Sequence, residues 1–120
     1  VLTNLLVNAR DAVHAAKVKG EVLIETSGTG NGAELVVTDN GIGISKENQK
    51  KIFDPFFTTK AVGAGTGLGL AVSFGILKRH QATFSVDSPP KKPISPDHAS
   101  PKVLTQGTSF TLWFPAIPSV

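Results

Sequence analysis

The chain has no cysteine and no methionine among its 120 residues. Without cysteine there is neither a disulfide framework nor a thiolate metal site, a composition that suits a reducing compartment and a cytoplasmic location. Lacking methionine and opening on Val1-Leu2-Thr3, it reads as a piece of a longer protein. No apolar run approaches the roughly 20 residues that span a bilayer, and the first residues do not read as a signal peptide. No direct membrane contact is therefore expected of these residues, whatever anchors the rest. The net charge is only +3 and its basic residues are dispersed, which gives nucleic-acid binding little support. His14, His80 and His98 share no metal-ligand spacing, and no Ser/His/Asp set or carboxylate pair stands out as a hydrolytic centre. What is present is an ordinary globular composition, 40% hydrophobic and 18% charged, at a length that makes one domain.

Leu2, Leu5, Leu6, Ala9, Ala12, Val13 and Ala16 recur at helical spacing and predict a helix from residue 1 to about 18, stopped by Gly20. Asn4 and Asn8 stack on one face of it, four residues apart. Locally they read as a solvated polar face; the sharper alternative is that Asn8 offers its amide oxygen to a hard cation such as Mg²⁺. Glu21 to Thr26 and Glu34 to Thr38 read as antiparallel strands joined by the turn Ser27 to Gly32. The second strand leads into Asp39-Asn40-Gly41-Ile42-Gly43-Ile44. Asn-Gly is a hairpin signal. A carboxylate at a strand end beside glycines is also suited to a nucleobase, since it accepts from an exocyclic amine while the ring lies on bare backbone.

Ser45 predicts a cap on a short helix over Lys46 to Lys51. Ile52 to Lys60 holds three of the seven phenylalanines and reads as a packed loop. Glycines at 63, 65, 67 and 69 then run into a second helical pattern through Leu70, Val72, Phe74, Ile76 and Leu77. A glycine-rich loop feeding a helix N-terminus offers free N–H groups and a positive dipole end to phosphate. It is not a P-loop, because no Gly-Lys-Ser/Thr follows the glycines, and not the dinucleotide fingerprint, because its spacing fails and no strand runs straight into it. Thr83 to Asp87 reads as a third strand and residues 88 to 106 as a proline-rich polar loop. Gly107 to Phe114 reads as a fourth strand, ended by Pro115.

Taken in order, these pieces resemble the ATP-binding catalytic domain of bacterial sensor histidine kinases, within the GHKL superfamily shared with gyrase, a heat-shock chaperone and mismatch-repair proteins. Asn4 to Ala9 is similar to the N box, Asp39 to Ile44 to the first glycine box and Ile52 to Phe57 to the F box. Gly65 to Leu70 is similar to the second glycine box, and Gly107 to Phe110 to the closing Gly-Thr-x-Phe. Each box alone is weak; all five in order are specific. The resemblance covers the chain except residues 89 to 106 and implies one ATP-binding domain over residues 1–120. The implied fold is a two-layer α/β sandwich, with helices on one face of a mixed, largely antiparallel sheet.

The resemblance implies Mg-ATP as the bound nucleotide and cation. Asp39 would accept the adenine amine, with Gly43 and Thr108 supporting the ring, partly through water, and Gly41 and Phe53 are implied to be cofactor-binding as well. Asn8 would be the Mg²⁺ ligand, and Asn4 would lie near the phosphates. Gly65, Thr66, Gly67, Leu68 and Gly69 would wrap the phosphate tail, and Lys60, in a short lid over Thr58 to Ala64, would reach the terminal phosphate. Hydrolytic members carry a glutamate where this chain has Asn4, and an amide cannot act as a base. The implied activity is therefore protein-histidine kinase: the γ-phosphate is kept for a histidine on the dimerisation domain of the same protein, and passes on to a response regulator receiver domain. The alternatives are an ATPase or serine kinase of the superfamily, and a non-catalytic nucleotide-sensing module. Three departures stand out. The strand and helix that precede the N box in the family are absent, Gln81-Ala82 replaces the usual Gly-Gly, and loop 89–106 replaces a short turn.

Overall fold

The computed structural model describes residues 1–57, 69–91 and 106–116. Helix α1 runs over Leu2–Ala16, strand β1 over Val22–Thr29 and strand β2 over Gly32–Asp39. A single turn, α2, covers Lys46–Gln49, and α3 covers Gly69–Arg79. Strands β3, Thr83–Asp87, and β4, Thr108–Pro115, complete the sheet. The Ser45 hydroxyl caps α2 as expected, accepting from the Asn48 N–H at 3.1 Å. That helix stops at Gln49 rather than Lys51.

The sheet order is β1-β2-β4-β3, and every pairing is antiparallel. Strands β2 and β3 do run in the same direction, but β4 is inserted between them, so the expected mixed pairing does not arise among the described residues. Side chains alternate between faces. The registers Leu35↔Leu112, Val37↔Phe110, Phe84↔Leu112 and Val86↔Phe110 therefore put one apolar set on one face. Leu5 of α1 and Leu77 of α3 cover that face, and with Val37, Ile52, Phe110 and Leu112 they form the buried core. Leu5, Leu77 and Leu112 are at most 2% exposed, so truncating any of them to alanine costs about 2–5 kcal/mol. The opposite face is mostly polar, with Leu23, Val36 and Trp113 among polar neighbours, and the Thr38 and Ser109 hydroxyls lie 3.1 Å apart across β2 and β4.

Two local readings change, and one open alternative closes. α1 ends at Ala16, and Lys17, not a glycine, takes the left-handed conformation that closes it (φ 54°). Gly20 is needed for space instead, because a side chain there would run into Val13. The β1–β2 hairpin turns at Gly30–Asn31, with Thr29 opposite Gly32, so Ser27 and Gly28 belong to the strand. Asn40-Gly41 makes no hairpin; it leaves the sheet. Asn40 instead ties the start of β1, accepting from the Glu21 N–H (2.8 Å) and donating to the Lys19 carbonyl (2.9 Å).

Candidate functional site

Asp39 is the last residue of β2, on the same face as the core and directly opposite Thr108, the first residue of β4. It is 3% exposed. One carboxylate oxygen accepts from the Gly41 N–H at 2.8 Å, and the Thr108 N–H also bonds to the carboxylate. Burial raises its pKa from 3.8 to about 6, against the lowering effect of those two backbone donors. A carboxylate offers about four lone-pair positions. Two backbone bonds leave capacity for an incoming amine.

The turn after Asp39 is seated on α1. The Ile42 N–H donates to the Ala12 carbonyl at 3.1 Å. A Cβ on Gly41 would lie 2.6 Å from that of Ala12, so only glycine lets the turn approach the helix so closely. Gly43 has φ +77°, a conformation glycine adopts without strain. Across the turn stands Ser88, whose hydroxyl accepts from the Ile44 N–H at 2.8 Å. Ser88 has no local signal in sequence, being one serine at the edge of a proline-rich stretch.

At its other end α1 meets α3. The Asn4 carboxamide donates both hydrogens, to the Gly69 carbonyl and to the Ser73 hydroxyl, each at 3.1 Å. Asn4, Asn8 and Ala12 follow at intervals of four along one stripe. That stripe spans roughly 12 Å at 1.5 Å per residue. Asn8 therefore sits midway between the Gly41 turn and the first turn of α3. It is half-buried, and its carboxamide makes no hydrogen bond within the described residues.

The structure thus gathers Asp39, Gly41, Gly43 and Thr108 at one end of α1, places Asn4 and Gly69 at the other, and leaves Asn8 between. Phe53 lies elsewhere, in the core layer. Its ring stacks on Phe74 (centroids 5.0 Å apart) and meets Phe84 edge-on (4.9 Å). Lys60, Gly65, Thr66, Gly67 and Leu68 fall outside the described residues. Among those described, no group of three or more His, Cys, Asp or Glu is placed to hold a metal. A magnesium ion held by one protein oxygen plus phosphates and water fits that donor set. No described helix is long and apolar enough to cross a membrane.

Known proteins resemble this chain along most of its length. The profile of the histidine kinase-, DNA gyrase B- and HSP90-like ATPases matches residues 1–118. The signal transduction histidine-protein kinase AtoS of Escherichia coli K12 is 47% identical over 91 residues, 75% of this chain and 14% of that protein. The sensor histidine kinase ZraS of the same strain is 39% identical over 115 residues, 96% of this chain and 21% of that protein. The chain spans about a fifth or less of these relatives. The mycobacterial sensor histidine kinase MprB superposes with a TM-score of 0.70 at 29% identity, covering 97% of this chain and 68% of the solved one. The chain belongs to the family of histidine kinase-, DNA gyrase B- and HSP90-like ATPases, as an ATP-binding domain of the sensor histidine kinase kind.

Proposed function

We propose that this domain binds Mg-ATP along α1 and presents the γ-phosphate to a histidine on the dimerisation domain of the same protein, from which it passes to a response regulator receiver domain. The observation that carries the reading is the buried Asp39 carboxylate, with acceptor positions that no described residue fills, roughly 12 Å along α1 from the glycine that opens α3. In this arrangement Asp39 accepts the adenine amine, and Gly41 and Gly43 bring backbone alongside the ring. Thr108 closes the base end from β4. Asn8 offers its amide oxygen to Mg²⁺, which would supply charge neutralisation at the phosphates when bound. Gly65, Thr66, Gly67 and Leu68 lead the phosphates to Gly69, and Lys60 reaches the terminal one, as the family resemblance of those positions implies.

Asn4 supports transfer over hydrolysis. It is an amide, it cannot take a proton from water, and both its hydrogens are committed to α3. The domain therefore works as the kinase half of a phosphorelay on the cytoplasmic side, making no direct contact with membrane or nucleic acid. The test is calorimetric titration with ADP and a non-hydrolysable ATP analogue, with and without Mg²⁺. Magnesium-sensitive, adenine-selective binding is the expected result; a folded chain that binds neither nucleotide sinks the proposal. Phosphate transfer to the histidine domain then separates a kinase from a nucleotide-sensing module, which would bind and not transfer.

A further inference from the structure

Ser88 stands one residue beyond β3, yet its hydroxyl joins three segments around Asp39. It donates to the Gly107 carbonyl and accepts from the Ile44 N–H at 2.8 Å and from the Thr108 hydroxyl at 3.4 Å. A hydroxyl has one hydrogen and two acceptor lone pairs, so every bonding position of this side chain is used. Its backbone is held as well: the Gln49 side-chain amide donates to the Ser88 carbonyl (3.3 Å) and to the Ile44 carbonyl (2.9 Å). Both positive-φ glycines among the described residues border this point. A Cβ on Gly43 would come within 2.8 Å of the Ser88 hydroxyl, and one on Gly107 would strike the Asp39 carbonyl. The turn after β2 and the start of β4 thus meet through one oxygen atom.

We infer that Ser88 is a positioning residue for the nucleotide base. It holds the Gly41–Ile44 turn and the Gly107–Thr108 strand start at the spacing that lets Asp39 and Thr108 engage one ring together, and it sets base affinity and selectivity without touching the ligand. This rests on the reading of the Asp39 end as the adenine site. In Ser88→Ala the Ile44 N–H and the Gly107 carbonyl both lose their partner, so the two segments are free to separate. Ser88→Thr keeps the hydroxyl.

The experiment is calorimetric titration of the full chain with ADP and, separately, GDP in the presence of Mg²⁺, with thermal unfolding recorded for each variant. Ser88→Ala is expected to bind ADP about tenfold more weakly, with a reduced ratio of ADP to GDP affinity, and Ser88→Thr to restore both. A purely structural serine would lower the unfolding temperature of Ser88→Ala while leaving the affinity and the ratio of the folded protein at their wild-type values, and that result overturns the inference. If Ser88→Ala does not fold, Gln49→Ala takes its place. It frees the Ser88 carbonyl and keeps the hydroxyl; a loss of about threefold is expected, and wild-type affinity overturns the inference. A folded wild-type chain that binds no ADP removes the adenine site itself and the inference with it. Failure of the inference alone is distinct, because there the wild type binds ADP and selects it over GDP.

Discussion

Asn4 and Ser73 meet across the α1–α3 interface, carboxamide nitrogen to hydroxyl oxygen at 3.1 Å, with Ser73 fully buried. The same nitrogen holds the Gly69 carbonyl. An asparagine that resembles a phosphate-end residue is therefore also the clamp that fixes where α3 begins. Asn4→Ala leaves a buried hydroxyl and a helix carbonyl without their donor, a loss of about 1–3 kcal/mol. Chemical denaturation should show a lowered midpoint with an unchanged slope. A variant as stable as the wild type would mean that the clamp contributes nothing.

Asp39→Asn tests the adenine contact with the turn kept in place. The amide is close in size to the carboxylate, and its oxygen still accepts from the Gly41 N–H, so the turn is kept. Its second position becomes a donor and faces the adenine amine with the wrong polarity. Loss of a charge-assisted bond together with this mismatch should weaken ADP binding by at least about tenfold. Calorimetry with ADP is the check, and undiminished affinity would exclude the adenine contact.

The raised pKa of Asp39 carries a second consequence. The native state holds this proton up to about pH 6, whereas the unfolded chain releases it near 3.8. Between those values the folded protein binds more protons than the unfolded one, so stability falls as pH rises through the window and levels off above it. Because the group is buried, the full contribution is about 3 kcal/mol. Denaturation midpoints measured from pH 4 to 7 should decline in the wild type, and Asp39→Asn should lack that component. Parallel profiles for the two proteins would show that Asp39 titrates as it does in water.

Asp39 and its glycines could be read from sequence because their chemistry is local: a β-prone run, a carboxylate at its end, then backbone without side chains. Thr108 was legible only through the family pattern, since its role comes from the register that sets it opposite Asp39. Ser88 and Gln49 were not legible at all. Each bonds a segment dozens of residues away, and nothing in their neighbours' identities encodes that meeting. The β1–β2 turn, expected over Ser27 to Gly32, falls within that range and narrows to Gly30–Asn31. Asn31-Gly32 and Asn40-Gly41 are the same dipeptide, and tertiary contact decides between them: Gly32 packs against Trp113 and Asn31 accepts from the Ala116 N–H, whereas the Gly41 turn is held on α1. Phe53 shows the opposite case, an aromatic whose usual place is the core and which is found there.

The end of α3 gives a prediction of gain. The Gln81 N–H bonds the Lys78 carbonyl (3.1 Å) and the Ala82 N–H bonds the Leu77 carbonyl (2.9 Å), the paired bonds that close a helix through a left-handed residue. That residue is Gln81, at φ 57°. The family pattern has glycine here, which adopts this conformation freely, while a residue with a Cβ loses roughly 1–2 kcal/mol to the crowding of its own backbone. Part of that is offset, because glycine also gives the unfolded chain more freedom. Gln81→Gly should therefore stabilise the protein by about 1 kcal/mol and, being remote from Asp39 and Asn8 in the fold, leave ADP affinity alone. Thermal unfolding and calorimetry on the same preparation decide it. A lower unfolding temperature would mean that the glutamine side chain makes contacts worth more than the strain it causes.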